Sequence, residues 1–209
     1  MISYQETDFQ KRNRLKLIEN LCQHKFNTNN LSFKDLNNSL NDEIKITKDV
    51  VKCAISEYFS KCALQEEGFY FYSKQDVPQT NLVIKEKNHN LKFYKNSTPI
   101  VEFDFVGTYK QELFIIEVKS GSFSAYNKLE SVLNHAQAIF KSRASIILFG
   151  SFKSDEQIKK YEEYSKQYPF SFIDFGFSQK DYDSMINEYY SNTFNDEIRN
   201  IRTTINSKN

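Results

Sequence analysis

The sequence predicts an α/β fold: a mixed central sheet flanked by helices, with a helical N-terminal extension. Three observations carry this. Short β-branched and aromatic runs such as VEFDFVG, ELFIIEVKSG and SIILFG alternate with longer stretches of helical period. Two of those runs are adjacent and separated only by a tight connection, so they pair antiparallel. The later runs are separated by whole helices, the signature of parallel crossovers.

The elements follow in order. Residues 8–24 read as a helix with Leu15, Ile18, Leu21 and Cys22 at helical spacing. Ser32 caps a short helix over 33–40, and Thr47 caps a longer one with Asp49 in its first turn. Val51, Ala54, Ile55, Tyr58, Phe59 and Cys62 form the apolar face of that longer helix, and Gly68 stops it. GFYFYSK is a strand, and NLVIKE and LKFYKN form a hairpin through KNHN. After VEFDFVG and ELFIIEVKSG come a helix over 126–142, the buried strand SIILFG, a charged helix over 154–166 and the strand PFSFIDFG. Two amphipathic helical patterns and a polar tail end the chain. The domain reading is a helical extension over 1–46, a core over 47–175 and C-terminal helices over 176–209.

Composition bounds the function. The chain has 209 residues, 39% hydrophobic, with 19 Phe and 13 Tyr, enough for a packed core. Five Gly and three Pro leave no room for a Gly-rich phosphate loop or a Pro-rich linker. A protein that holds nucleic acid by bulk charge alone is usually more basic than a net charge of +1, but a local basic surface suffices for a nuclease, so charge balance neither supports nor excludes a nucleic-acid substrate. Cys22, Cys53 and Cys62 form no CxxC pair and are expected as buried free thiols. His24, His89 and His135 are dispersed, so no zinc site is legible. The N-terminus has no apolar stretch of a secretory signal, and no run suits a membrane span. The expected location is the cytoplasm or the nucleoid.

The chemistry-bearing pattern lies in VEFDFVGTYKQELFIIEVKSG. With Lys110 and Gln111 as the two turn residues, Asp104 falls opposite Glu117, and Glu102 opposite Lys119. Directly opposed residues have Cβ atoms about 4.5–5.5 Å apart. Two carboxylates that close repel unless a cation lies between them. Oxygen ligands beside a phosphate and water suit Mg²⁺ or Mn²⁺. Lys119 is placed to orient or help deprotonate an attacking water and to stabilise charge on the phosphate. Taken alone, the same charges also fit the wet face of an ordinary amphipathic hairpin. A register slip of one residue would send Asp104 to the other face. Ser120, Ser122 and Ser124 read as a polar loop after the second strand.

Asp104, twelve residues, then Glu117-Val118-Lys119 resembles the PD-(D/E)xK (restriction-endonuclease-like) nuclease superfamily, and the order of elements over 47–175 is similar to its core. Phe103 stands where that motif usually has Pro. The look is nearest to Holliday-junction resolvases, Mrr-type restriction enzymes and CRISPR-ancillary nuclease domains. The resemblance implies a metal-dependent nuclease, with DNA favoured over RNA as the substrate and RNA left open. It implies metal binding by Asp104, Glu117, the Val118 carbonyl and Glu57 on the first core helix. It implies catalytic roles for Asp104, Glu117, Lys119 and Gln137. The Tyr that follows the Gln in RecB-like members is absent, as are the cysteines of the Cas4-like iron–sulfur group. The alternative is an inactive nuclease-fold or helix-turn-helix-like DNA-binding protein, with Lys11, Arg12, Arg14 and Lys16 on phosphates. The apolar face of the first helix also suits a homodimer.

Overall fold

The computed structural model describes residues 6–41, 43, 45–119, 129–152 and 154–206, and side chains of the last helix as far as Thr193. Helix α1 (Asp8–Leu21) starts in a capping box, in which the Thr7 hydroxyl accepts from the Gln10 N–H and the Gln10 side chain accepts from the Thr7 N–H. Ser32 caps α2 (Phe33–Leu40) and Thr47 caps α3 (Lys48–Glu66), both as the sequence predicts. Gly68, at φ +77°, ends α3, and the Phe69 N–H returns to the Leu64 carbonyl at 2.9 Å.

Among the described residues, eight strands make two sheets. β1 (Tyr70–Phe71) is shorter than the expected strand. β2 (Val83–Lys87), β3 (Asn90–Lys95) and β4 (Thr98–Phe103) form an antiparallel three-stranded sheet of their own. Its two turns, Asn88-His89 and Asn96-Ser97, put both central residues at positive φ, as two-residue hairpins of the right twist require. The main sheet has the order β1-β5-β6-β7-β8, with β5 (Phe105–Tyr109), β6 (Glu112–Lys119), β7 (Ala144–Gly150) and β8 (Phe170–Asp174). β1-β5 and β5-β6 are antiparallel, while β6-β7 and β7-β8 are parallel. The parallel connections run through α4 (Leu129–Phe140) and α5 (Asp155–Gln167). The fold is thus α/β with a mixed central sheet, as expected. Gly107 is required where β5 meets β1, because a Cβ there would lie 2.0 Å from the Tyr70 carbonyl oxygen.

The sheet divides the core. On one face Phe114, Ile116, Val118, Ile147 and Phe149 pack with residues of α1, α2, α3 and the last helix, α6 (Gln179–Asn206). On the other, Leu113, Ile115, Ile146 and Leu148 pack with α4, α5 and Leu91, Phe93 and Phe103 of the small sheet. Burying each of these large side chains contributes on the order of 2 kcal/mol.

Several expectations are corrected. VEFDFVG is not one strand: Asp104 sits in a bend between β4 and β5, which belong to different sheets. Glu102 therefore pairs across to Lys92, at 2.6 Å, and not to Lys119. Helix α1 buries Asn13, Arg14, Leu17 and Leu21, while Leu15 is 49% exposed and Cys22 is exposed. Leu21 is buried and Ile18 packs partly against the core, as expected, but Leu15 and Cys22 give way to Leu17 and to Arg14, which turns inward. Its guanidinium holds Glu6 at 2.7 Å and donates to Ser171 Oγ and the Phe170 carbonyl on β8. This buried pair is tied down further by Ser145 Oγ, which donates to Glu6. Leu17, Leu21, Leu36 and Leu40 share one cluster with α3 and α6, so residue 46 is not a packing boundary. α6 is a single helix rather than two, with Tyr182, Met185, Ile186 and Tyr189 buried. Cys53 is also exposed and Cys62 half-buried, against the expectation of buried thiols. Among the described residues no helix is long and apolar enough to cross a membrane.

Candidate active site

The site forms where the chain leaves the small sheet for the main one. The β5-β6 ladder pairs Phe105 with Ile116 and Tyr109 with Glu112. Lys110 and Gln111, at φ 49° and 68°, are the two turn residues. This is the register that sets Asp104 against Glu117. Asp104 lies just beyond the last ladder pair, and the bend frees its carboxylate from the ladder. Its Oδ2 accepts the Val118 N–H at 2.7 Å, which fixes it against β6.

Alternation along β6 sends Glu117 and Lys119 to the face opposite Val118. Lys119 Nζ lies 3.3 Å from Asp104 Oδ2 and 3.2 Å from Glu117 Oε2. Three charged side chains therefore converge, and they are largely withdrawn from water: Asp104 and Glu117 are each 17% exposed and Lys119 33%. Burial, and then the Asp104 charge, push the Glu117 carboxyl up to about 7. Burial opposes the charge on Lys119, yet the two carboxylates outweigh it and hold the ammonium above its usual range. Lys119 is thus a firm cation.

Glu57 is half-buried on α3. Burial, followed by repulsion from Asp104, pushes it up to about 7, with Glu102 adding to the shift and Lys119 opposing it. It lines a cavity of about 610 Å³ between α2, α3 and the small sheet, together with Lys85, Lys87, Lys92 and Glu102. A second cavity, of about 470 Å³, is lined by Glu117, Lys119, Lys92, Glu102, Ser131 and His135, among others. Lys92 and Glu102 line both cavities.

Of the residues expected at the site, Asp104, Glu117 and Lys119 are in contact, Val118 gives its amide to Asp104, and Glu57 is coupled to them through charge. Gln137 is not brought to the cavity of Glu117 and Lys119. The α4 residues there are Leu129, Ser131, Val132 and His135. Gln137 lies two residues past His135, about 200° further round the helix. Ser120, Ser122 and Ser124 lie outside the described residues. Glu66 and Glu67 turn away to His24, at 3.4 and 3.0 Å. Sequence reasoning missed His135 and the Lys92–Glu102 pair. The first shows only as a His on the helix after the Glu117 strand. The second requires knowing that β4 pairs with β3.

The donor set suits a hard divalent cation. Asp104 and Glu117 share the Lys119 ammonium, while burial, and after it the Asp104 charge, makes Glu117 and Glu57 resist ionisation. Among the described residues no three of His, Cys, Asp and Glu stand close enough to hold an ion as they are. The ammonium of Lys119 supplies the neutralising charge in this arrangement.

No protein-family model matches the chain, and no curated protein matches it. Among solved structures, the crystal structure of protein VC1899 from Vibrio cholerae aligns with 87% of this chain and 54% of that one, at 15% identity and a TM-score of 0.38. The chain spans about half the length of that protein.

Proposed function

We propose that this chain is a metal-dependent nuclease that hydrolyses phosphodiester bonds in DNA. The observation that carries the reading is the convergence of Asp104, Glu117 and Lys119 at one bend of the sheet. In the PD-(D/E)xK pattern that these residues resemble, the two carboxylates hold Mg²⁺ or Mn²⁺. Here Asp104 and Glu117 would hold it, with the Val118 carbonyl and Glu57 completing the oxygen set. A bound divalent ion supplies Lewis-acid activation of the phosphoryl group and of water. Lys119 stays positively charged and stabilises the charge that builds on the phosphate oxygens.

A panel of labelled single-stranded, duplex and branched DNAs and an RNA, incubated with Mg²⁺, Mn²⁺ or chelator, tests the proposal. Metal-dependent cleavage of a DNA substrate is expected. Absence of cleavage across the panel, with the protein folded and metal present, would reject it.

A further inference from the structure

In the proposed reaction Asp104 and Glu117 hold the cation and Lys119 stands between them, so the attacking water can lose its proton to a further group lining the same cavity. His135 on α4 lines the same cavity as Glu117 and Lys119. Its Nδ1 lies 2.8 Å from the Ser131 backbone carbonyl oxygen, one helical turn back. A carbonyl only accepts, so Nδ1 carries the hydrogen and donates it. In the neutral ring Nε2 is then the lone-pair nitrogen. The Ser131 hydroxyl, 3.3 Å from Nδ1, sits on the same side of the ring. The charged groups that share the cavity are Lys92 from β3, Glu102 from β4, and Glu117 and Lys119 from β6. Lys92 is engaged with Glu102, and Lys119 with Glu117.

We propose that His135 is a further catalytic residue, the general base that activates water for attack on the phosphodiester; this rests on the nuclease reading above. Nε2 takes a proton from the water as the water oxygen's electron pair forms the new P–O bond. The bond from phosphorus to the leaving ester oxygen breaks, its electron pair stays on that oxygen, and that oxygen takes a proton from solvent. The imidazolium then returns its proton to solvent. Ser131 positions the ring: its carbonyl fixes the tautomer in which the nitrogen needed for the step is unprotonated.

Two measurements on the full chain test this. In ¹⁵N-histidine-labelled protein, with the resonance assigned by its loss in His135→Gln, the neutral ring should be the Nδ1–H tautomer. An Nε2–H tautomer would overturn the base role alone, whatever the chain cleaves. In kinetics with Mg²⁺ on the best-cleaved substrate, His135→Ala should lower kcat about 10²-fold with little change in KM, and added imidazole should restore part of the rate. A merely structural role would give no rescue by imidazole. Wild-type kcat in His135→Ala, or a loss that imidazole does not relieve, would overturn the proposal. If the wild-type chain cleaves no polynucleotide while the Nδ1–H tautomer is found, the nuclease reading itself falls, and the base role with it.

Discussion

Lys119 supplies one positive charge to two carboxylates within 3.3 Å, and a third, Glu57, feels Asp104 without an ion pair of its own among the described residues. That imbalance makes the residue-scale predictions. Asp104→Asn, Glu117→Gln and Lys119→Ala should each remove most turnover, on the order of 10²-fold or more, while circular dichroism shows the fold retained. Near wild-type cleavage by Lys119→Ala would contradict its assigned role. Glu57 gives a test that needs no substrate. Its folded carboxyl is pushed up to about 7 from the ordinary 4.5, so its contribution to stability is full below the lower value and is lost as pH rises through the upper one. Above that, the ionised group costs stability. Glu57→Gln should therefore raise Tm at about pH 8, by an amount worth roughly 1–2 kcal/mol, and leave it nearly unchanged at about pH 4. Equal effects at both pH values would show that Glu57 is not strained by its neighbours. The convergence of Asp104 and Glu117 was legible in the sequence because alternation and a two-residue turn fix the register. The partner of Glu102 was not, because it depends on which strand β4 joins.

At the scale of elements, the β5-β6 turn decides whether the site exists. A slip of one residue would carry Asp104 to the opposite face. Lys110 and Gln111 hold the turn although neither is Gly or Asn, and both lie at positive φ. Side chains with a Cβ pay a conformational cost there that Gly does not. Gln111→Gly should accordingly stabilise the fold by roughly 0.5–1 kcal/mol, read as a higher urea midpoint at unchanged m-value. A lower midpoint would mean that the Gln111 side chain has a role outweighing the strain. The bend at Asp104 is the feature that pattern reading could not supply. VEFDFVG alternates without a break, and only the departure of β4 to the small sheet interrupts it. Capped helices were read more accurately than strands, because Ser32, Thr47 and Gly68 mark their ends chemically.

For the whole molecule, the first 45 residues are part of the core rather than an appendage. Leu17, Leu21, Leu36 and Leu40 are at most 3% exposed and pack with α3 and α6, and Arg14 bridges Glu6 to β8. Sequence periodicity showed helices there and placed Ile18 and Leu21 inward, but took Leu15 for a core residue and missed Arg14, since an inward-facing Arg reads as a surface residue. Deleting 1–45 should expose those side chains, leave Phe59 and Phe175 half covered, and give an aggregating or molten chain by dye binding and near-UV dichroism. A cooperative, monomeric unfolding transition in the truncated chain would contradict this. Both halves of the core pack on β5 and β6, beside the bend where Asp104, Glu117 and Lys119 meet. The most direct test of that centre is cleavage of a labelled DNA by the wild-type chain and Glu117→Gln in parallel, with Mn²⁺, with excess EDTA, and with Mn²⁺ restored. Cleavage that stops in EDTA, returns with Mn²⁺ and is absent throughout from Glu117→Gln is the predicted result. Undiminished cleavage in EDTA, or by Glu117→Gln, would contradict a metal-dependent centre at these residues.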